Sequence, residues 1–321
     1  MNDFLLMTGK SNSKLAHAIG KILKKEVSEP ISVFSDGEIR VRIESNMRRR
    51  HVYIIQPTAP RPNDAIMELL LMIDAAKRGS ASEIIAIIPY FGYSRQDRKE
   101  MSRVPISASL VASMIEYAGA NRILTVDIHS EQEEGFVKIP WDNIYASYTL
   151  LPEIKKRKLA NLVVASPDKG GVVRATGYAR LLAAEGIAIV YKERDLNIND
   201  TSKALSMVGD VEGKNVLLTD DMLSTGGTLL SAADFIKSRG AKSVRAAVTH
   251  GLFSDEALDK VDKSTVDEII VTDTMMLREE VVKHPKTTVV SVAPLLSSAI
   301  EHIESGESLS HDLILKPSET Q

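Results

Sequence analysis

The sequence predicts an α/β protein made of two similar domains, each a mostly parallel sheet flanked by helices. Three observations predict it. Short β-branched runs alternate with longer amphipathic stretches along most of the chain, the pattern of strands joined by crossover helices. The 321 residues amount to about two domains at ~150 residues each. A helix end, a Gly-Ala step, a basic residue and a strand recur in both halves, as Ala118-Gly119-Ala120-Asn121-Arg122 and as Arg239-Gly240-Ala241-Lys242-Ser243. Strands are expected at 4–7, 52–56, 84–88, 123–126, 162–165, 187–191, 216–219, 243–248, 268–271 and 288–291, and a further extended run at 31–34 precedes a turn. Helices are expected at 13–23, 63–78, 107–118, 171–184, 228–239 and 293–304. Ser13 and Asn63 are the expected N-caps, and Gly79, Gly119 and Gly240 stand where helices should stop. Prolines 140 and 152 with the polar run Lys155-Lys156-Arg157-Lys158 place a boundary near residue 145. The expected division is 1–145, 146–295 and a C-terminal helix and tail, 296–321, that packs back on the first domain.

Composition removes several function classes. Forty basic residues against 43 acidic ones leave a formal charge of −3, whereas a nucleic-acid coat protein carries a large basic excess. Cysteine is absent, which excludes disulfides, zinc-thiolate sites and cysteine nucleophiles together. The first nine residues lack the basic flank and apolar length of a signal peptide. The longest apolar runs, at 69–73 and 84–88, fall far short of the ~20 residues that a membrane helix needs. The expected location is the cytoplasm, with neither membrane nor nucleic acid as partner.

The most informative segment runs from Asn215 to Thr228, NVLLTDDMLSTGGT. It reads as a buried strand ending in Asp220 and Asp221, a turn of glycines and hydroxyls, and an amphipathic helix. Ligands of open α/β sheets bind beyond the carboxyl ends of strands, so these side chains face a crevice. Backbone N–H groups around Gly226 and Gly227, aided by the helix N-terminus, can converge on an anion, and Ser224, Thr225 and Thr228 add hydroxyl donors. Two carboxylates beside such a cradle repel a bare phosphate, but they suit sugar hydroxyls or the water of a bound metal. A ribose phosphate meets both demands. Gly9-Lys10-Ser11 lacks the earlier glycine of a P-loop, since Phe4 occupies that position, and no G-x-G-x-x-G occurs.

Four further segments match, in order, those of the ribose-phosphate diphosphokinase (phosphoribosyl pyrophosphate synthetase) family. They are Phe34-Ser35-Asp36-Gly37-Glu38, the run PYFGYSRQDR from Pro89 to Arg98, Leu124-Thr125-Val126-Asp127-Ile128-His129, and SPDKGGVVRA from Ser166 to Ala175. With Asp220–Thr228, which looks like the ribose-phosphate loop of the type I phosphoribosyltransferase fold, the chain resembles the phosphate-regulated class of that family almost end to end. The resemblance implies transfer of the β,γ-diphosphoryl group of ATP to the anomeric hydroxyl of ribose 5-phosphate, giving AMP and 5-phosphoribosyl 1-diphosphate for nucleotide biosynthesis. It implies Mg2+ as cofactor, held by His129 and Asp168, with Asp127 and Asp142 as lesser ligands; Lys138 stands near a position that is often acidic in the family. ATP falls to Phe34, Asp36, Gly37, Glu38, Arg95, Gln96 and His129, the Phe34–Glu38 turn reaching a neighbouring subunit. Ribose 5-phosphate falls to Arg194, Asp220, Asp221, Ser224, Thr225, Gly226, Gly227 and Thr228. Lys192 and Arg194 match the cations of a mobile loop over the transition state, although Glu193 and Asp195 make this stretch more acidic than expected. Arg48, Arg78, Ser80, Ser308 and Ser310 match positions that bind phosphate or ADP as effectors between subunits, and the assembly implied is a hexamer built from dimers.

Two rival functions remain at this level. A phosphoribosyltransferase shares Asp220–Thr228 but has no need of Asp36–Glu38 or of Arg95 and Gln96. A non-catalytic homologue that binds synthetase subunits could keep the fold and lose its cations, whereas Lys192, Arg194, His129 and Asp168 are all present.

Overall fold

A computed structural model of the protein describes residues 3–193 and 204–309. The described residues divide into two compact units, one of 3–146 with 274–276 and 291–309, the other of 147–273 with 277–290.

The first unit contains, in chain order, β1 (Leu5–Thr8), α1 (Ser13–Leu23), β2 (Val27–Ser28), β3 (Ile31–Val33), β4 (Ile39–Val41), β5 (His51–Ile55), α2 (Pro62–Arg78), β6 (Glu83–Ile88), α3 (Ser107–Ala118), β7 (Arg122–Val126) and β8 (Trp141–Ile144). Six of these strands form a parallel sheet in the order β2-β1-β5-β6-β7-β8, and β3 and β4 pair as a separate antiparallel hairpin. The chain steps from β1 outward to β2, then returns past β1 to β5 and continues the other way. With right-handed crossovers, that reversal puts α1 on one face and α2 and α3 on the other. The strands of such a sheet are covered on both sides, which is why Val52, Tyr53, Ile54, Ile55, Ile85 and Ile87 are all fully buried.

Both expected N-caps are corrected. Asn12, not Ser13, caps α1, its Oδ1 accepting from the N–H of Leu15 at 3.3 Å. The second helix starts one residue early because Pro62, at its first position, needs no N–H partner; Asn63 instead accepts a hydrogen bond from the Tyr93 hydroxyl. The C-terminal helix, Ala293–Ser305, belongs to this unit and packs on α1. Its Glu304 carboxylate, wholly buried, accepts from Tyr53 Oη and pairs with His51 Nδ1, both at 2.7 Å. Burial, followed by the Glu304 carboxylate, drives the Tyr53 hydroxyl far above the ordinary phenol range.

The second unit contains α4 (Ser147–Lys155), β9 (Leu162–Ser166), α5 (Val172–Leu181), β10 (Gly186–Glu193), β11 (Ala204–Val208), β12 (Asn215–Leu223), α6 (Gly227–Ser238), β13 (Ser243–Gly251), α7 (Ala257–Lys263), β14 (Glu268–Thr272), α8 (Glu279–Val282) and β15 (Thr287–Val290). Its sheet order is β11-β10-β9-β12-β13-β14-β15, parallel except for the edge strand β11. The first unit's reversal is repeated here, between β9 and β12. The proline-flanked stretch expected as a boundary forms α4, with Pro152 inside it. That helix is tied to the sheet by Arg157, whose Nε donates to Glu268 Oε2 at 3.2 Å and whose Nη1 pairs with Glu153. Among the described residues, no helix is long and apolar enough to cross a membrane.

Candidate active site

In the second unit the site begins with a difference in strand length. β12 pairs with β9 only from Asn215 to Leu218, yet it pairs with β13 as far as Leu223. Residues 219–223 therefore overhang the end of β9, at the place where the sheet order reverses and ligand crevices form. Asp220 and Asp221 sit on that overhang, and the N–H of Asp221 donates to Asp220 Oδ1 at 2.9 Å. Burial first, and then the charge of Asp221, push the Asp220 carboxyl up to about 8, with Arg174 pulling weakly the other way.

Beyond Leu223 three residues, Ser224-Thr225-Gly226, lead into α6. Gly226 has φ +75°, and a Cβ there would lie 2.8 Å from Leu230 Cδ1, so both the turn and the packing require glycine. The N-terminus of α6 has no side-chain cap hydrogen bond and no acidic residue in its first turn. Its leading N–H groups and the positive end of its dipole are thus offered to an anion. Thr225, Gly227 and Thr228 are exposed there. Ser224 is held by Ser254, Oγ to Oγ 2.8 Å.

The loop after β9 lies beside this one in the sheet. Asp168 is exposed, and its Oδ1 accepts from the N–H groups of Gly170 at 2.8 Å and Gly171 at 3.1 Å. A Cβ on Gly171 would stand 2.6 Å from Ser166 Oγ, so the close approach of this loop to its own strand depends on glycine. The Lys169 ammonium lies 5.3 Å from the centre of the Tyr191 ring. Lys192 falls within β10, its backbone paired with Leu205 of β11; its side chain, and Arg194 altogether, lie outside the described residues.

In the first unit, Arg95 and Gln96 occupy a 3₁₀ turn, Ser94–Gln96, beyond the carboxyl end of β6, and both are exposed. Ser107 Oγ donates to Gln96 Oε1 at 2.7 Å. His129 is exposed beyond the neighbouring β7, and its backbone N–H donates to Ser94 Oγ at 3.2 Å. Phe34, Asp36, Gly37 and Glu38 form the exposed tip of the β3–β4 hairpin, closed by Phe34 N–H to Glu38 O at 2.9 Å, with Gly37 at φ +94°. The hairpin tip is thus apart from the Arg95 turn in sequence and in secondary structure.

Two lesser metal candidates have other work. Asp127 is buried at φ +43°, and its Oδ2 accepts from the N–H of Ala146 at 3.2 Å, closing the end of β7 onto the segment after β8. Asp142 pairs with Arg122, at the first residue of β7 and away from the strand tips. Of the effector residues, Arg48 and Ser80 lie on touching segments, since the N–H of Arg49 donates to Ser80 O at 2.9 Å. Arg78 is engaged with Asp74 at 2.7 Å, and that carboxylate raises the guanidinium above its ordinary range. Ser308 is exposed, and Ser310 lies outside the described residues.

Four residues near these positions are not singled out by the sequence, although Ser94 and Arg174 lie inside the matched segments 89–98 and 166–175. Arg174 and Ser254 flank the aspartates and the phosphate turn, and Ser94 and Glu133 lie under the Arg95 turn. Glu133 sits in Glu131-Gln132-Glu133-Glu134, a run that reads as solvated, yet it is fully buried. Burial raises its carboxyl to about 7, against the Ser94 hydrogen bond that lowers it.

Among the described residues, no group of three or more His, Asp or Glu could hold a metal ion by itself. Mg2+ is ordinarily bound through one or two carboxylates together with substrate phosphates and water rather than in an all-protein cage. An exposed Asp168 and the paired Asp220 and Asp221 fit that mode.

Comparison with known proteins follows the same lines. Residues 4–119 match the N-terminal domain of ribose phosphate pyrophosphokinase, and residues 196–313 match the phosphoribosyl synthetase-associated domain. A ribose-phosphate pyrophosphokinase of Helicobacter hepaticus is 46% identical over 310 residues, which cover 96% of this chain and 98% of that one. The chain belongs to the ribose-phosphate pyrophosphokinase family. A family member from Ralstonia nicotianae is 45% identical, covering 95% of this chain and 96% of its own. The crystal structure of phosphoribosylpyrophosphate synthetase from Mycobacterium smegmatis superposes with a TM-score of 0.88 at 37% identity, covering 95% of this chain and all of that one. The paired parallel sheets expected from the sequence are the family's architecture.

Proposed function

We propose that this protein is a ribose-phosphate diphosphokinase: it moves the β,γ-diphosphoryl group of ATP to the anomeric oxygen of ribose 5-phosphate. The bond from that oxygen to the β-phosphorus forms as the bond from the β-phosphorus to the α,β-bridging oxygen breaks, AMP leaves with the bridging oxygen, and the hydroxyl proton is released. Family membership supports the reaction. The observation that carries the site is the overhang of β12, which sets two aspartates and an uncapped helix N-terminus side by side.

The 5-phosphate is bound by the N–H groups at the start of α6 and by the hydroxyls of Ser224, Thr225 and Thr228. Asp220 and Asp221 bind the ribose hydroxyls, their carboxylate oxygens accepting from them. Arg95 and Gln96 hold the nucleotide, guanidinium to phosphate and amide to base or ribose, with His129 beside them. Phe34, with Asp36 and Glu38, takes the adenine of a neighbouring copy, the ring stacking and the carboxylates accepting from the exocyclic amine. Phosphoryl transfer asks for positioning and charge stabilisation rather than covalent help, and Lys192 and Arg194 supply cations for the transferring group. Mg2+ would fit Asp168 and the Asp220–Asp221 pair in the second unit, and His129 is the candidate ligand in the first; bound with the nucleotide, the ion would neutralise phosphate charge. Asp127 serves the loop rather than the ion. The protein works as a homo-oligomer, a hexamer built from dimers, with phosphate and ADP acting through Arg48, Arg78, Ser80, Ser308 and Ser310.

The test is direct. With ATP, Mg2+ and ribose 5-phosphate, AMP should accumulate at the rate at which ribose 5-phosphate disappears. A phosphoribosyltransferase or a non-catalytic homologue makes no AMP, and that outcome would overturn the proposal. Loss of activation by phosphate, or ADP inhibition that is purely competitive with ATP, would remove the effector roles alone.

A further inference from the structure

The strongest unexplained feature in the first unit is a carboxylate where a hydrophobic side chain would pack. Glu133 is fully buried, one carboxylate oxygen accepts from Ser94 Oγ at 2.6 Å, and the other has no hydrogen-bond partner. Burying a carboxylate with an unmatched oxygen is costly, and an apolar residue of like volume would serve packing better. A cost of this kind is retained where a group has a specific task.

The hydrogen bonds say what the task is. The Ser94 hydroxyl donates to Glu133 and accepts from the backbone N–H of His129 at 3.2 Å. Ser94 is the first residue of the 3₁₀ turn that carries Arg95 and Gln96. Glu133 itself is anchored by its N–H to Ser130 O at 3.0 Å, one residue past His129. A short chain from Glu133 through one hydroxyl therefore ties the Arg95–Gln96 turn to His129. Upstream of the turn, Tyr93 is at φ +67°, and a Cβ on Gly92 would lie 2.8 Å from Thr58 O, so the turn is held at its start as well. Placing a donor within a few tenths of an ångström is what such supporting bonds contribute to a binding site.

We propose that Glu133 is a positioning residue for the nucleotide: through the Ser94 hydroxyl it sets the Arg95–Gln96 turn in register with His129. This rests on the reading that Arg95, Gln96 and His129 hold ATP, and the experiment separates the two ideas. Steady-state AMP formation by the full chain is measured for Glu133→Ala, Glu133→Gln, Ser94→Ala, the double variant Ser94→Ala/Glu133→Ala, and Arg95→Ala. The expected result is a rise of about tenfold in the KM for ATP in Glu133→Ala and in Ser94→Ala, the size of one charge-assisted hydrogen bond. The KM for ribose 5-phosphate should stay within about twofold. Glu133→Gln, whose amide oxygen accepts from the same hydroxyl, should recover most of the loss, and the double variant should be no worse than the poorer single one. Should Glu133→Ala fail to fold, Ser94→Ala, which removes only a hydroxyl, carries the same prediction. An unchanged KM for ATP in Ser94→Ala and Glu133→Ala, or an equal rise for both substrates, overturns the positioning role. If Arg95→Ala raises the KM for ATP while those two variants do not, positioning alone fails; if Arg95→Ala also leaves it unchanged, the nucleotide reading of the turn fails with it.

Discussion

The two units reverse their strand order at corresponding places, between β1 and β5 in the first and between β9 and β12 in the second, yet the two crevices hold opposite chemistry. In the second unit the strand overhangs its neighbour, the turn is Ser224-Thr225-Gly226, and the helix that follows has neither a cap nor an acid in its first turn. In the first unit the matching helix begins Arg61-Pro62-Asn63-Asp64; Pro62 removes an N–H donor, and Asp64 stands in the first turn paired with Arg61 at 2.9 Å. The neighbouring loop there is already filled: buried Glu68 accepts from Lys10 N–H at 2.9 Å and from Gln56 Nε2 at 2.8 Å. In the second unit the corresponding loop is held by Asp168, which is exposed. A cavity of about 540 Å³ remains at the first crevice, lined by Lys10, Arg61, Asp64 and Glu68 among others. One strand order thus supports two local chemistries, and it is the few residues after each strand that select between them.

That contrast can be broken in several ways. The largest effect should come from the end of the second strand of the second unit, β10, where Lys192 stands. Lys192→Ala should lower AMP formation by roughly 10³–10⁵, about 4–7 kcal/mol at ~1.4 kcal/mol per tenfold, with an unchanged thermal transition; near-normal turnover would remove Lys192 from the chemistry. Next is Glu304→Ala, which leaves the His51 and Tyr53 partners on β5 unmet and should cost about 2–4 kcal/mol in denaturant unfolding. Because Glu304 serves only the first unit, ribose 5-phosphate affinity measured by calorimetry should change little, and a large loss there would mean that the two crevices are not independent.

Gly226→Ala should cost ~1–3 kcal/mol of stability and much of the ribose 5-phosphate affinity, since it meets both a positive φ and Leu230. Arg61→Ala, at the matching helix start, should alter that affinity by less than about fivefold, because an exposed pair of this kind contributes ~1 kcal/mol at most. Equal losses in both variants would erase the distinction drawn between the crevices. The gentlest probe is pH. The folded Asp220 carboxyl, at about 8, lies above its unfolded value of 3.8, so the folded chain binds the extra proton between those limits and its stability falls as pH rises through that window. Asp220→Asn should flatten the slope of stability against pH measured between pH 5 and 8. A slope identical to that of the parent protein would place the proton elsewhere.

Much of this was readable in advance, and the misses share a cause. Helices α1 and α3 stand at the expected residues because their apolar spacing, and for α3 the Gly119 that ends it, are local signals. The phosphate turn was readable for the same reason, since strand, turn and helix start lie within fourteen consecutive residues. The bounds of β12 were not: its last four residues are strand only because β13 runs alongside them to Gly251. Asp127 and Asp142 looked like ligands until their partners, Ala146 and Arg122, nineteen and twenty residues away, were in place. In Glu131-Gln132-Glu133-Glu134 no neighbour distinguishes the one glutamate that turns inward.

By itself the sequence determined the alternation of strand and helix, the paired sheets and the family, and it marked the segments proposed for phosphate, nucleotide and metal, because each depends on residues close together along the chain. Tertiary structure alone decided which carboxylates are free to meet a ligand. Asp168 stays exposed, Asp220 is half-buried beside a buried Asp221 that pushes its carboxyl up, Asp127 closes a loop, and Glu133 supports a turn. The reason is electrostatic: a carboxylate's behaviour is set by how much water it keeps and which donors reach it, and both are fixed by segments that meet only when the sheet is assembled.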